Sequence, residues 1–184
     1  MDAATKEAAV DRFLRDHPRA GLSGRDRPAL LGCADAAWPQ ASGKPSRIPE
    51  LLPCLFDGAT GAEALHLLGN ALLEDLFHVS AAMPVAVPFL LRLVADPHLA
   101  IAVRTGLAGL LALAAHLSEP VDADDEGAVL LLGLDDEHPE RERCRAAFLT
   151  HASALAGLLD DASLPDGLLD ADERESLRTA GALR

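Results

Sequence analysis

With 184 residues, a net charge of −13 and only 3% aromatics, the chain is too acidic and too poor in stacking rings to grip phosphate backbones, so nucleic acid is excluded as an expected partner. Ala and Leu dominate a hydrophobic fraction of 49% with no Tyr, an apolar content that forms helices rather than strands. Residues 1–47 hold 8 Lys/Arg against 6 Asp/Glu, residues 48–118 hold 2 against 6, and residues 119–184 hold 6 against 17, so the acidity is concentrated in the last third.

In chain order, the first expected element is AATKEAAVDRFLRD, residues 3–16, with a second helix expected somewhere within 25–37. The N-terminus alternates charge and lacks a signal peptide's apolar middle, and the charge-free stretches 76–91 and 105–118 are shorter than the roughly 20 residues of a membrane span. A cytoplasmic protein with no membrane partner is expected. Residues 48–57 read IPELLPCLFD and residues 87–96 read VPFLLRLVAD, aligned without a gap 39 positions apart. In each, a Pro follows a β-branched residue and precedes apolar positions at helical spacing, which predicts a helix starting at that Pro. A turn follows, then a second helix: AEALHLLGNALLEDLFHV (62–79) in one unit, HLAIAVRTGLAGLLALAAHL (98–117) in the other.

A further shift of 39 residues reaches EGAVLLLGLD (126–135), followed by a long predicted helix from Pro139, PERERCRAAFLTHASALAGLLDDA. A period near 40 with two helices per unit is how helical solenoids bury faces that one hairpin cannot cover alone. The expected fold is therefore all-α, a short α-solenoid of helical hairpins with capping helices. Residues 1–46 are read as N-terminal capping helices and link, residues 47–80, 81–118 and 127–160 as the repeats, and residues 161–184 as a C-terminal cap built on GLLDADERESLRTAGAL. Gly69, Gly106 and Gly109 are expected to let helices approach closely.

Trp38, the Gly-containing link 41–44, I-P-x-L-L from Ile48, and His78 leading into A-x-P-V-A-V-P-F-L-L together resemble the small HEAT-like repeat proteins common in high-GC bacteria. The resemblance covers about residues 38–117 and rests on helix-packing positions, so it speaks to fold before function. Some relatives of this kind sit beside secreted-toxin genes, so the resemblance implies an immunity role.

Cys33, Cys54 and Cys144 are widely spaced without a C-x-x-C pair, so reduced, partly buried thiols are expected rather than disulfides or zinc. Asp75 and His78 stand three apart on an expected helix, half of a di-metal arrangement whose other half is missing, so no metal is expected. His78 and His116 are read as residues at helix C-termini, where imidazole suits the dipole. The run Asp122-Ala-Asp124-Asp125-Glu126-Gly127 begins like a calcium loop, but Gly133 occupies the twelfth position, where a Glu is needed. A charged contact surface is the better reading.

No nucleotide-binding, hydrolase-elbow or H-E-x-x-H motif is present, and no cofactor is expected. The expected function is a non-enzymatic protein-interaction module, an immunity protein or regulatory adaptor for a basic protein. Its contact residues would be Asp122, Asp124, Asp125, Glu126, Asp135 and Asp136. The alternative is a small-molecule-binding protein or enzyme with a polar groove carrying His66, Asp75, His78, His116 and His151. The Leu-rich surface leaves the oligomeric state open.

Overall fold

The computed structural model describes residues 2–40, 46–161, 164–165 and 167–183; the polar link at 41–44 lies outside them. Along the chain run α1 (Ala3–Asp16), α2 (Ile48–Leu51), α3 (Gly61–Leu72), α4 (Met83–Ala95), α5 (Ile101–Leu117), α6 (Glu126–Leu132), α7 (Pro139–Thr150), α8 (Ala152–Leu159) and α9 (Ala171–Ala180). Short 3-10 turns occupy Ala20–Leu22, Pro28–Leu30 and Leu52–Phe56. The described residues are all-helical, apart from one isolated antiparallel bridge between Leu73 and Val79.

The first helix falls where the sequence places it. Asp2 accepts the Thr5 N–H at 2.8 Å, an N-cap that satisfies a free amide, and Val10 and Phe13, three apart on one face, turn inward. Lys6 reaches across to donate to the carbonyls of Leu73 and Glu74 at 2.7 and 2.6 Å, which closes the end of α3.

Within 25–37 the expected helix is reduced to the turn Pro28–Leu30, because Gly32 sits at φ +79 and reverses the chain. Trp38 fastens this segment instead, donating Nε1–H to the Cys33 carbonyl at 2.8 Å and stacking on Phe89 of α4 at 5.7 Å.

The two aligned segments begin alike in sequence and end differently in structure. Pro49 opens α2 as expected, but Pro53 has no N–H for the next α-helical bond, so the chain tightens into the 3-10 turn Leu52–Phe56. In the second unit the helix begins at Met83 with Pro84 in its first turn, which leaves Pro88 inside α4 rather than at its start. The long helix predicted from Pro139 is likewise two helices, α7 and α8, that meet at His151.

At the centre, α5 packs against α3, α4, α7 and α9. That is why its Leu and Ala residues are buried on nearly all sides, from Val103 through Leu107, Ala108 and Leu111 to Ala115 and Leu117. Gly106 supplies the close approach, since a Cβ there would strike Leu65 of α3, whereas Gly69 faces open space and plays no such part. Arg104 is buried and donates Nε–H to the Val94 carbonyl at 2.8 Å, capping α4 from within α5. The C-terminal α9 begins with a capping box, Asp170 with Glu173, and packs back on α5.

Candidate partner-binding surface

The acidic loop after α5 is built around one carboxylate. Asp135 accepts from Arg141 through Oδ1 and from Arg145 through Oδ2, each at 2.8 Å. Arg141 is 2% exposed and also donates to the carbonyls of Leu132 and Gly133, the exit of α6. Arg145 donates to the Ser118 carbonyl at 2.7 Å, the exit of α5. Burial pushes the Asp135 carboxyl up, but the hydrogen bonds from Arg141 and Arg145 outweigh it and hold the group below the usual carboxylate value.

This network explains an unusual helix. α6 carries Val129, Leu130, Leu131 and Leu132, yet it buries none of its residues, and Leu130 and Leu131 are 87% and 55% exposed. At its start the Asp125 carboxylate accepts the Ala128 N–H at 3.0 Å; at its end Arg141 takes the carbonyls. Polar contacts at both ends and the partly buried Leu132 hold α6 in place, and Leu130 and Leu131 are left to solvent.

A second exposed apolar pair lies on the turn after α3. The expected helix over 62–79 stops at Leu72, so Asp75 and His78 do not share a helical face; they pair across a turn, with His78 Nδ1 2.8 Å from Asp75 Oδ1. In between, Leu76 is 82% exposed and Phe77 41%. Burial raises the Asp75 carboxyl, and hydrogen bonds from the Phe77 N–H and from His78 more than offset it, leaving it below its ordinary value.

The rings of His78 and His138 stack with centroids 4.2 Å apart and planes at 24°. His138 Nδ1 in turn lies 3.1 Å from Glu140 Oε1, so each ring of the stack is oriented by its own carboxylate. Gly133, at φ +66, brings the exit of α6 against His138 Nε2 at a spacing where a Cβ would sit 2.6 Å away. The stack therefore fastens the 74–78 turn to the loop that ends α6.

The two segments that carry these apolar pairs have no cationic side chain of their own, although Lys6 reaches the carbonyls of Leu73 and Glu74 and Arg141 that of Leu132 from other elements. Residues 72–91 contain no Lys or Arg, and residues 119–138 contain none either while holding eight carboxylates. Asp122, Asp124, Asp125, Glu126 and Asp136 are exposed; Asp135 alone of the six acidic residues expected at a contact surface is committed inward.

The histidines expected to share a groove are dispersed. His66 is exposed and contacts Asn70 of its own helix at 3.2 Å, and His116 lies in the last turn of α5, 3.4 Å from Glu119. His151 marks the break between α7 and α8, and of the set only Asp75 and His78 are in contact. Sequence spacing missed His138, the actual partner of His78, because the two stand 60 positions apart; its place just before Pro139, at a helix start, was the only local signal.

Among the described residues no three His, Cys, Asp or Glu side chains are arranged to hold a metal ion, and no helix is long and apolar enough to cross a membrane. The three thiols are free and buried; burial pushes Cys33 and Cys54 up to about 11 and Cys144 up to about 12, far from reactive thiolates. No protein-family model, curated protein or solved structure matches the chain.

Proposed function

We propose that the protein is a non-enzymatic interaction module that binds a basic protein partner, serving as an immunity protein or regulatory adaptor in the cytoplasm. Its scaffold is read as a short HEAT-like stack in which the hairpin of α4 and α5 lies beside α3, an arrangement supported by the packing of α5 on both. The observation that carries the reading is α6, a helix that leaves Leu130 and Leu131 in solvent within a segment, residues 119–138, that holds eight carboxylates and no Lys or Arg. Covering one such leucine gains about 1.5–3 kcal/mol, and the surrounding carboxylates favour a cationic partner while opposing a second copy of this chain. Exposed apolar groups within a charged surface mark contact sites.

The test begins with retention of a basic protein from native lysate at low and raised salt and continues with that partner purified. Leu130→Ser with Leu131→Ser is expected to weaken binding about tenfold or more through faster dissociation, and Asp124→Asn with Asp125→Asn to slow association and flatten its salt dependence. A purified partner that binds all these variants as it binds the parent chain, or no retained partner at either salt, overturns the proposal. The alternative of a histidine-bearing groove has less support, since His66, His116 and His151 are dispersed and only Asp75 and His78 of the set are in contact.

A further inference from the structure

A second region of the molecule is suited to a different kind of ligand, and the reasoning is independent of the partner surface. The C-terminal turns of α1, the irregular chain that follows it and the α2 segment enclose an open cleft of about 720 Å³. That lies within the range of small-molecule sites, about 300–1,000 Å³. Its apolar walls include Leu14, Leu30, Pro49 and Pro53.

The charges around the cleft do not cancel. Three guanidinium groups, Arg15, Arg25 and Arg47, face two carboxylates, Asp11 and Glu50. Arg47 takes both: its terminal nitrogen is 2.8 Å from Asp11 Oδ1, and its Nε is 2.6 Å from Glu50 Oε1. His17, also on the wall, is engaged elsewhere, tilted on Phe13 with ring centroids 5.0 Å apart and 3.8 Å from Glu63. Among the described residues Arg15 and Arg25 make no ion pair, and the cleft lining, three guanidinium groups against two carboxylates, keeps an excess of one positive charge in a chain whose net charge is −13. Guanidinium groups without a carboxylate partner bind carboxylate and phosphate through paired N–H donors. The neutral thiols of Cys33 and Cys54 on the same wall offer no competing anion.

We propose that this cleft binds a small organic anion, a phosphate monoester or a carboxylate with an apolar body, whose charged group is taken by Arg15 and Arg25 and whose body rests against Leu14, Leu30 and Pro53. No covalent step is involved; the site binds and releases.

Phenyl phosphate is the probe, followed by amide chemical shifts and by calorimetry. Saturable shifts are expected at residues lining the cleft, with inorganic phosphate binding more weakly because it lacks the apolar body. Arg15→Ala with Arg25→Ala is expected to lower the affinity about tenfold or more. Arg143→Ala with Arg178→Ala, an equal charge change at exposed positions away from the cleft, should leave it within about twofold. Absence of saturable binding by the parent chain up to about 10 mM probe overturns the proposal. So does an equal loss in the two double variants, which would make the attraction a general charge effect. Thermal midpoints of both variants, recorded alongside, separate loss of the site from loss of the fold.

Discussion

Asp135 is the residue on which the acidic loop depends. Its two oxygens serve Arg141 and Arg145, whose other donors reach the exits of α6 and α5, so one carboxylate joins three elements. Replacing it with Asn leaves two guanidinium groups without their counter-charge, and Asp135→Asn is expected to cost about 1–3 kcal/mol at pH 7. The pH dependence has a definite sign. The folded-state pKa lies below the unfolded value, so the contribution is fully present above about 3.9 and is lost as pH falls through the lower, folded value. Urea unfolding of both chains at neutral and at strongly acidic pH provides the check. The gap between them should shrink on the acidic side, and a gap unchanged by pH would mean that the ion pairs contribute nothing.

At the level of elements, the fit of one irregular segment against another depends on a residue without a side chain. Gly24 follows the turn Ala20–Leu22 and lies directly on Pro53, with a Cβ at this position only 2.7 Å from the Pro53 Cα and in collision with its carbonyl. Backbone atoms cannot swing aside as a side-chain tip can, so Gly24→Ala is expected to destabilise by about 1–3 kcal/mol. Thermal unfolding of the variant would show it, and an unchanged midpoint would mean that the 17–34 segment is not firmly seated.

The same elements show how far the sequence could be read. The helical class, the bounds of α1, the opening of α2 at Pro49 and of α7 at Pro139, and the burial of the cysteines all follow from local chemistry: caps, proline and apolar spacing. The break at His151 does not, because no Gly or Pro marks it and the apolar pattern runs on. It arises from tertiary packing, as α7 lies on α4 and α5 while α8 packs on both α4 and α9. The end of α3 at Leu72 was hidden in the same way, since LEDLFH reads as helix and becomes a turn held by Lys6, Asp75 and the stack on His138. As for the candidate surface, its acidity was legible from composition. Its exposed leucines were not, because EGAVLLL has the composition of a buried helix and only the position of α6 shows that it is not one.

On the scale of the whole molecule, charge is segregated. A cleft with an excess of cations lies near the N-terminal segment, and the 74–78 and 119–138 segments carry no Lys or Arg of their own. The anionic face opposes self-association through its own leucines, and its attraction for cationic partners weakens within a screening length of about 8 Å at physiological salt. The two regions use different residues, so substitutions in one serve as controls for the other.

The return of α9 to α5 has a consequence for how the molecule comes apart. In a linear array each unit touches only its neighbours, and such chains can lose their ends one unit at a time. Here the last helix is joined to the centre of the chain, and the segment ahead of α2 is joined to α4 through Trp38 and Phe89. Neither α9 nor the Trp38 segment can leave without opening the middle. Heating should therefore give a single all-or-none transition in which the calorimetric and van't Hoff enthalpies agree. A chain shortened to remove α9 should lose that sharp transition rather than merely shift it, whereas two resolved heat-absorption peaks in the full chain would mean that its ends melt independently.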